Sequence, residues 1–127
     1  MIRSLDHLVL TVQNLDATIA FYCDALGMEA RRFGENSERV ALHFGSQKIN
    51  LHEVGKEFEP KATVPTPGSG DLCFLTVEPV DRLSARLQSA GQVIIDGPIQ
   101  RSGAKTRLMS IYLCDPDGNL IEIANEI

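Results

Sequence analysis

The chain contains no tryptophan and only two tyrosines and five phenylalanines in 127 residues. So little aromatic surface leaves few platforms on which bases or a large planar molecule could stack. Positive charge is also scarce. Twelve Lys and Arg against 17 Asp and Glu leave a formal net charge of −5, which argues against nucleic acid or an anionic membrane as partner. No apolar run approaches the roughly 20 residues of a membrane-spanning helix. The opening Met1-Ile2-Arg3-Ser4-Leu5-Asp6-His7 enters a strand pattern at once, without the apolar stretch of a secretion signal. The cysteines are three, widely spaced and without a Cys-x-x-Cys pair. That excludes a disulfide framework and a cysteine zinc site, and it reads as free thiols in a reducing, cytoplasmic setting. Cys73 is expected to be a core thiol.

Composition is otherwise ordinary, with 43% apolar and 23% charged residues, and the length fits one domain or two half-units. Leu5 to Val12 is rich in β-branched residues and reads as a strand, with His7, Val9 and Thr11 on one face. Asn14 or Asp16 caps a helix running to Leu26, with Leu15, Ile19, Tyr22 and Leu26 as its apolar stripe and Gly27 as its stop. Strands follow near Glu29–Phe33, Arg39–Phe44 and Lys48–Glu53. Residues 55–70 carry three prolines and three glycines and read as a linker or lid, in which Phe58 can act as a cover.

The pattern then restarts. Asp71 to Val77 lies over Asp6 to Val12 at an offset of 65, with Asp, Leu, Thr and Val matching, and Asp81 lies over Asp16. A second helix carries Val80, Leu83, Leu87 and Ala90 on one stripe and stops at Gly91. Short strands are expected near Val93–Ile95, Met109–Cys114 and Asn119–Asn125. The chain is thus two tandem β-α-β-β-β modules (residues 1–54 and 71–127, joined by the linker 55–70), and the three strands after each helix make it α+β, with mostly antiparallel meanders.

Asp115-Pro116-Asp117-Gly118-Asn119 is a turn that leads into Leu120-Ile121-Glu122-Ile123. Alternation puts Leu120, Glu122 and Ala124 on one face of that strand and Ile121 and Ile123 on the other. A carboxylate in mid-strand is costly unless it is paired, for instance with Arg107, or bound to a cation.

Asp6-His7 at the head of the first strand, the paired modules and the Asp115–Asn119 turn before Glu122 together resemble the vicinal oxygen chelate superfamily. That group includes glyoxalase I, bleomycin-resistance proteins and extradiol dioxygenases, and the resemblance spans essentially the whole chain. It implies a cup-shaped mixed sheet, a cytoplasmic homodimer and a divalent metal (Ni, Zn, Fe or Mn) held by the first and fourth strands of each module. Carried onto this sequence, it makes His7, His52 and Glu122 the metal ligands and Glu122 also the catalytic base. Asn50 occupies the position matching Glu122 in the first module and is a polar lining residue. At the offset of 65, Leu72 falls on the fourth ligand position, where it cannot bind metal. Arg101, Lys105 and Arg107, three cations within seven residues of a glycine-punctuated loop, form an anion clamp for the substrate, with Tyr112 beside it.

The function so implied is a metal-dependent glyoxalase-like lyase or isomerase acting on a small molecule with vicinal oxygens. The alternatives are an extradiol-type dioxygenase and a metal-free small-molecule binding or resistance protein.

Overall fold

The structure, a computed structural model, describes residues 1–127 and divides into two compact units, Met1–Gly68 and Ser69–Ile127. Each is a β-α-β-β-β module around a four-stranded mixed sheet, the α+β architecture expected from the sequence. No helix is long and apolar enough to cross a membrane.

In the first unit, β1 (His7–Val12), β2 (Glu29–Phe33), β3 (Arg39–Phe44) and β4 (Gln47–Glu53) are ordered β1-β4-β3-β2. β1 runs parallel to β4, and the other pairs are antiparallel. Period-2 alternation sorts the side chains. Leu10, Val12, Val40, Leu42, Ile49 and Leu51 are buried on the apolar side. Helix α1 (Leu15–Ala20) starts where Asn14 Oδ1 accepts from Ala17 N–H at 2.9 Å, a side-chain cap for an otherwise unpaired donor. It continues as a wider π turn over Phe21–Ala25. The extra residue in that turn rotates the buried face. Thr18, Phe21 and Tyr22 go inside, while Leu15, Ile19 and Leu26 of the expected stripe are only half-buried.

In the second unit, β5 (Asp71–Leu75), β6 (Asp96–Ser102), β7 (Arg107–Cys114) and β8 (Leu120–Glu126) are ordered β5-β8-β7-β6, again with the first strand parallel to the last. Ile111, Leu113, Ile121 and Ile123 are buried on the apolar side, and helix α2 (Val80–Ser89) buries Val80, Leu83 and Leu87. The cap of α2 is not local. Pro79 offers none, and Val80 N–H donates instead to Asn125 Oδ1 of β8 at 2.9 Å.

The Asp115–Asn119 turn is cross-braced. Asp115 accepts from the backbone N–H groups of Asp117 and Asn119, both at 2.9 Å, and from Asn119 Nδ2 at 2.8 Å. Asn119 Oδ1 in turn accepts from Gly70 N–H at 2.7 Å, which fixes the entry of β5. Gly118 takes φ +88°, the left-handed conformation that an Asp-Gly turn needs.

One expected element moves. A strand was expected near Val93–Ile95, with Arg101, Lys105 and Arg107 on a loop. Strand β6 instead spans Asp96–Ser102, and only Gly103–Thr106 turns. The Asp-Gly-Pro-Ile-Gln-Arg-Ser segment lacks a strand-like composition, and its pairing with β7 imposes the extended form.

Candidate functional site

Strand register corrects the alignment of the two modules. Leu8 pairs with Ile49, and Leu72 pairs with Ile121, each leucine facing its unit's core. With Ile49-Asn50-Leu51 laid over Ile121-Glu122-Ile123, Leu72 therefore matches Leu8 rather than His7, an offset of 64 (72 − 8) in the strands. The residue matching His7 is Asp71, the first residue of β5 as His7 is of β1. The offset of 65 holds at the helix starts, where Asn14 matches Pro79 and Asp16 matches Asp81. The second module has one extra residue between strand and helix. A one-residue slip moves every side chain to the opposite face of a strand, which is how an apolar residue came to occupy an expected ligand position.

In the second unit, Glu122 lies mid-sheet with Cys73 opposite on β5 and Tyr112 opposite on β7. Ser110 Oγ donates to Glu122 Oε2 at 2.6 Å. Cys73 is therefore not a core thiol. It shares the Glu122 face, and its pKa is pushed up from 9.0 to about 11, first by burial of the sulfur and then by the Glu122 charge and hydrogen bond. The residue as a whole keeps an exposed edge, but its sulfur side forms part of a cavity wall. Tyr112 is also raised, chiefly by burial, while its hydrogen bond from Arg101 pulls the other way. Asp71 lies two residues before Cys73 on this same face, about 7 Å along the strand.

Glu122 opens on a cavity of about 360 Å³. Cys73, Leu75 and Glu122 line one part of it, and Gly103, Lys105, Thr106 and Leu108 another. Of the expected anion clamp, only Lys105 lines this cavity. Arg101 is committed elsewhere: its Nε donates to Tyr112 Oη at 3.0 Å, and its Nη2 lies 3.7 Å from Asp96. Arg107 starts β7 with an exposed side chain and is not paired with Glu122.

In the first unit, the face opposite the apolar core carries His7, Val9 and Thr11 of β1 beside Lys48, Asn50 and His52 of β4. His7 Nδ1 is 2.8 Å from Asp6 Oδ1, an arrangement that fixes the ring and leaves Nε2 free. His52 is only 3% exposed, with Nε2 3.4 Å from Arg39 Nη2 and its ring 5.7 Å from that of Phe58. Burial, and after it the Arg39 charge, lowers its pKa. His7 and His52 lie four residues apart in register, about 13 Å along the strand, too far for both to reach one tetrahedral ion within this unit. In neither unit are three or more His, Cys, Asp or Glu side chains gathered closely enough to hold a metal ion.

Sequence reading missed Arg39, Lys48 and Phe33. The Arg39 guanidinium lies 4.8 Å from the Phe33 ring centre and 5.0 Å from that of Phe58, and Lys48 Nζ lies 4.3 Å from Phe33. Asn50 is buried, and its Oδ1 has no hydrogen-bond partner. Its alternation with Ile49 and Leu51 was readable as lining a face. The missing partner was not.

Residues 4–123 match the family described as the Glyoxalase/Bleomycin resistance protein/Dioxygenase superfamily. The chain is 52% identical over 127 residues to the virulence protein STM3117 of Salmonella typhimurium, covering all of this chain and 87% of that protein. The crystal structure of STM3117 superposes with a TM-score of 0.96, covering 100% of this chain and 99% of the other, at 51% identity. A second relative is the glyoxalase domain-containing protein RDO1 of Mycosarcoma maydis. It is 52% identical over 124 residues, 98% of this chain and 69% of that protein. A structure from the mobile metagenome of V. Pseudocholerae superposes with a TM-score of 0.94 at 50% identity, covering 98% of this chain and 95% of the other.

Proposed function

The chain belongs to the glyoxalase/bleomycin resistance/dioxygenase superfamily, and from that membership we propose that it is a metal-dependent lyase or isomerase acting on a small substrate with vicinal oxygens. The observation that carries this reading is Glu122, a carboxylate in the middle of a sheet, oriented by Ser110 Oγ at 2.6 Å and opening on a cavity. A carboxylate so held takes a proton from a carbon next to a carbonyl and returns it one atom away. Tyr112, Cys73 and Ser110 surround it with hydroxyl and thiol groups that hold it in one orientation.

The donor types suit a divalent ion. In the second unit Asp71 and Glu122 offer carboxylate oxygens on one face of the sheet. In the first unit, taken by itself, Asp6 orients the His7 ring. His52, with Arg39 at its Nε2, is not counted among the ligands. When bound, such an ion supplies Lewis acidity to two neighbouring oxygens. Lys105 at the cavity wall attracts an anionic substrate. The same reading includes a homodimer and a cytoplasmic location, in keeping with three free thiols.

The test is elemental analysis of protein purified without chelator, beside His7→Ala, Asp71→Asn and Glu122→Gln, with hemithioacetal isomerisation measured on each. Stoichiometric metal in the parent, reduced in the variants, together with lost turnover in Glu122→Gln, is expected. A parent that neither contains nor takes up Ni(II), Zn(II), Fe(II) or Mn(II) overturns the proposal, and so does parent-level turnover by Glu122→Gln.

A further inference from the structure

We propose that the open face of the first unit's sheet binds a small organic anion that carries a hydrogen-bond donor beside its charge and an apolar body. Two buried polar atoms there are unmet and complementary. Arg39 Nε is a donor without an acceptor, and Asn50 Oδ1 is an acceptor without a donor. They do not pair with each other, so what satisfies both is a molecule offering an acceptor and a donor. An unmet buried polar group is destabilising by itself, and a ligand that supplies its partner recovers that loss on binding.

The charge of the ligand follows from the cations. Neither Arg39 nor Lys48 forms an ion pair with any carboxylate. Both guanidinium and ammonium lie against the Phe33 ring, so two positive charges share one aromatic wall. The nearby Glu57, whose charge acts on His52, turns its carboxylate to Gly55 N–H at 2.9 Å, and Glu29 is taken by Arg31. The third group is His52, whose pKa burial and then the Arg39 charge lower. A partly desolvated guanidinium without a counter-charge is a carboxylate site in waiting.

The body follows from the register. Val9 and Ala41 flank Asn50 on the neighbouring strands, and Phe33 and Phe58 stand over Arg39. A hydroxyl or N–H of the ligand then donates to Asn50 Oδ1 while its carboxylate meets Arg39 and Lys48. All of these residues belong to the first unit, so the inference stands apart from the metal chemistry assigned to Glu122.

The test is isothermal titration of chelator-dialysed protein with mandelate, its neutral amide mandelamide, and phenylacetate, which lacks the hydroxyl. Mandelate is expected to bind at least about tenfold more tightly than either comparison compound. Arg39→Met should erase the preference over mandelamide, and Asn50→Leu the preference over phenylacetate. Equal affinity for acid and amide overturns the proposal on the unaltered protein alone. It is overturned as well by binding that appears only after metal is added, or by variants that keep both preferences.

Discussion

Cys73 reports on the charge of Glu122. Burial and that carboxylate together hold the thiol at about 11 instead of 9.0, so its thiolate is scarce at neutral pH. Glu122→Gln removes the negative charge and leaves the burial, so the midpoint falls from about 11 and stays above 9.0. The rate effect is smaller than the thiolate fraction alone suggests. A less basic thiolate is a weaker nucleophile, with a Brønsted slope of about 0.4–0.5, so even the full shift is worth only about tenfold at pH 8. The expected outcome is therefore a rise of a few-fold in iodoacetamide alkylation of Cys73 at pH 8, with a lowered midpoint in the rate–pH profile. Mass spectrometry of the Cys73 peptide reads the rate, and the exposed Cys114 serves as an internal comparison thiol. An unchanged or raised midpoint in Glu122→Gln refutes the claim that this carboxylate faces the thiol, and with it the placement of both at one cavity.

His52 should titrate below 6.5 by NMR, and Arg39→Met should raise its midpoint without restoring it fully, because burial is the larger cause. With a lowered folded-state pKa, the unfolded chain takes up a proton first. The contribution of His52 to stability is therefore complete above 6.5 and declines as pH falls toward the folded value, which an acid unfolding series on His52→Gln against the parent detects. Gly97→Ala should destabilise by at least about 2 kcal/mol in denaturant titration. A Cβ there would lie 2.2 Å from the Ser110 carbonyl oxygen at a φ of +95°. Asn125→Ala should cost about 2–3 kcal/mol. It removes the Val80 cap and leaves the carbonyls of Thr76 and Glu78 without their 2.9 and 2.8 Å donors.

Alternation made most of the fold legible. The faces of β1, β4 and β8 are as their apolar periods imply, because burial on one side penalises any other register. The β6 strand was hidden because Asp96 to Ser102 is extended only through its partner β7. The repeat was visible, but its offset was taken from identities such as Thr11 and Thr76, which favour 65, whereas the ladders hold the strands at 64. Asp71 was lost in that single residue. The Arg39–Phe33–Phe58 stack joins three segments with no common sequence period, and only the folded sheet brings them together.

The two helices have different histories. Asn14 caps α1 from the adjacent residue, so that turn can close as soon as its own segment exists. The amide that starts α2 comes from Asn125, 45 residues further along the chain, and it also ties down Thr76 and Glu78. Contacts of such long sequence separation form late, because loop closure must come first. The second module therefore waits for β8, the strand that also carries Glu122. Helix cap, cavity wall and carboxylate in that module depend on one strand, so a chain cut before Asn125 leaves α2 uncapped and the carbonyls of Thr76 and Glu78 without these donors.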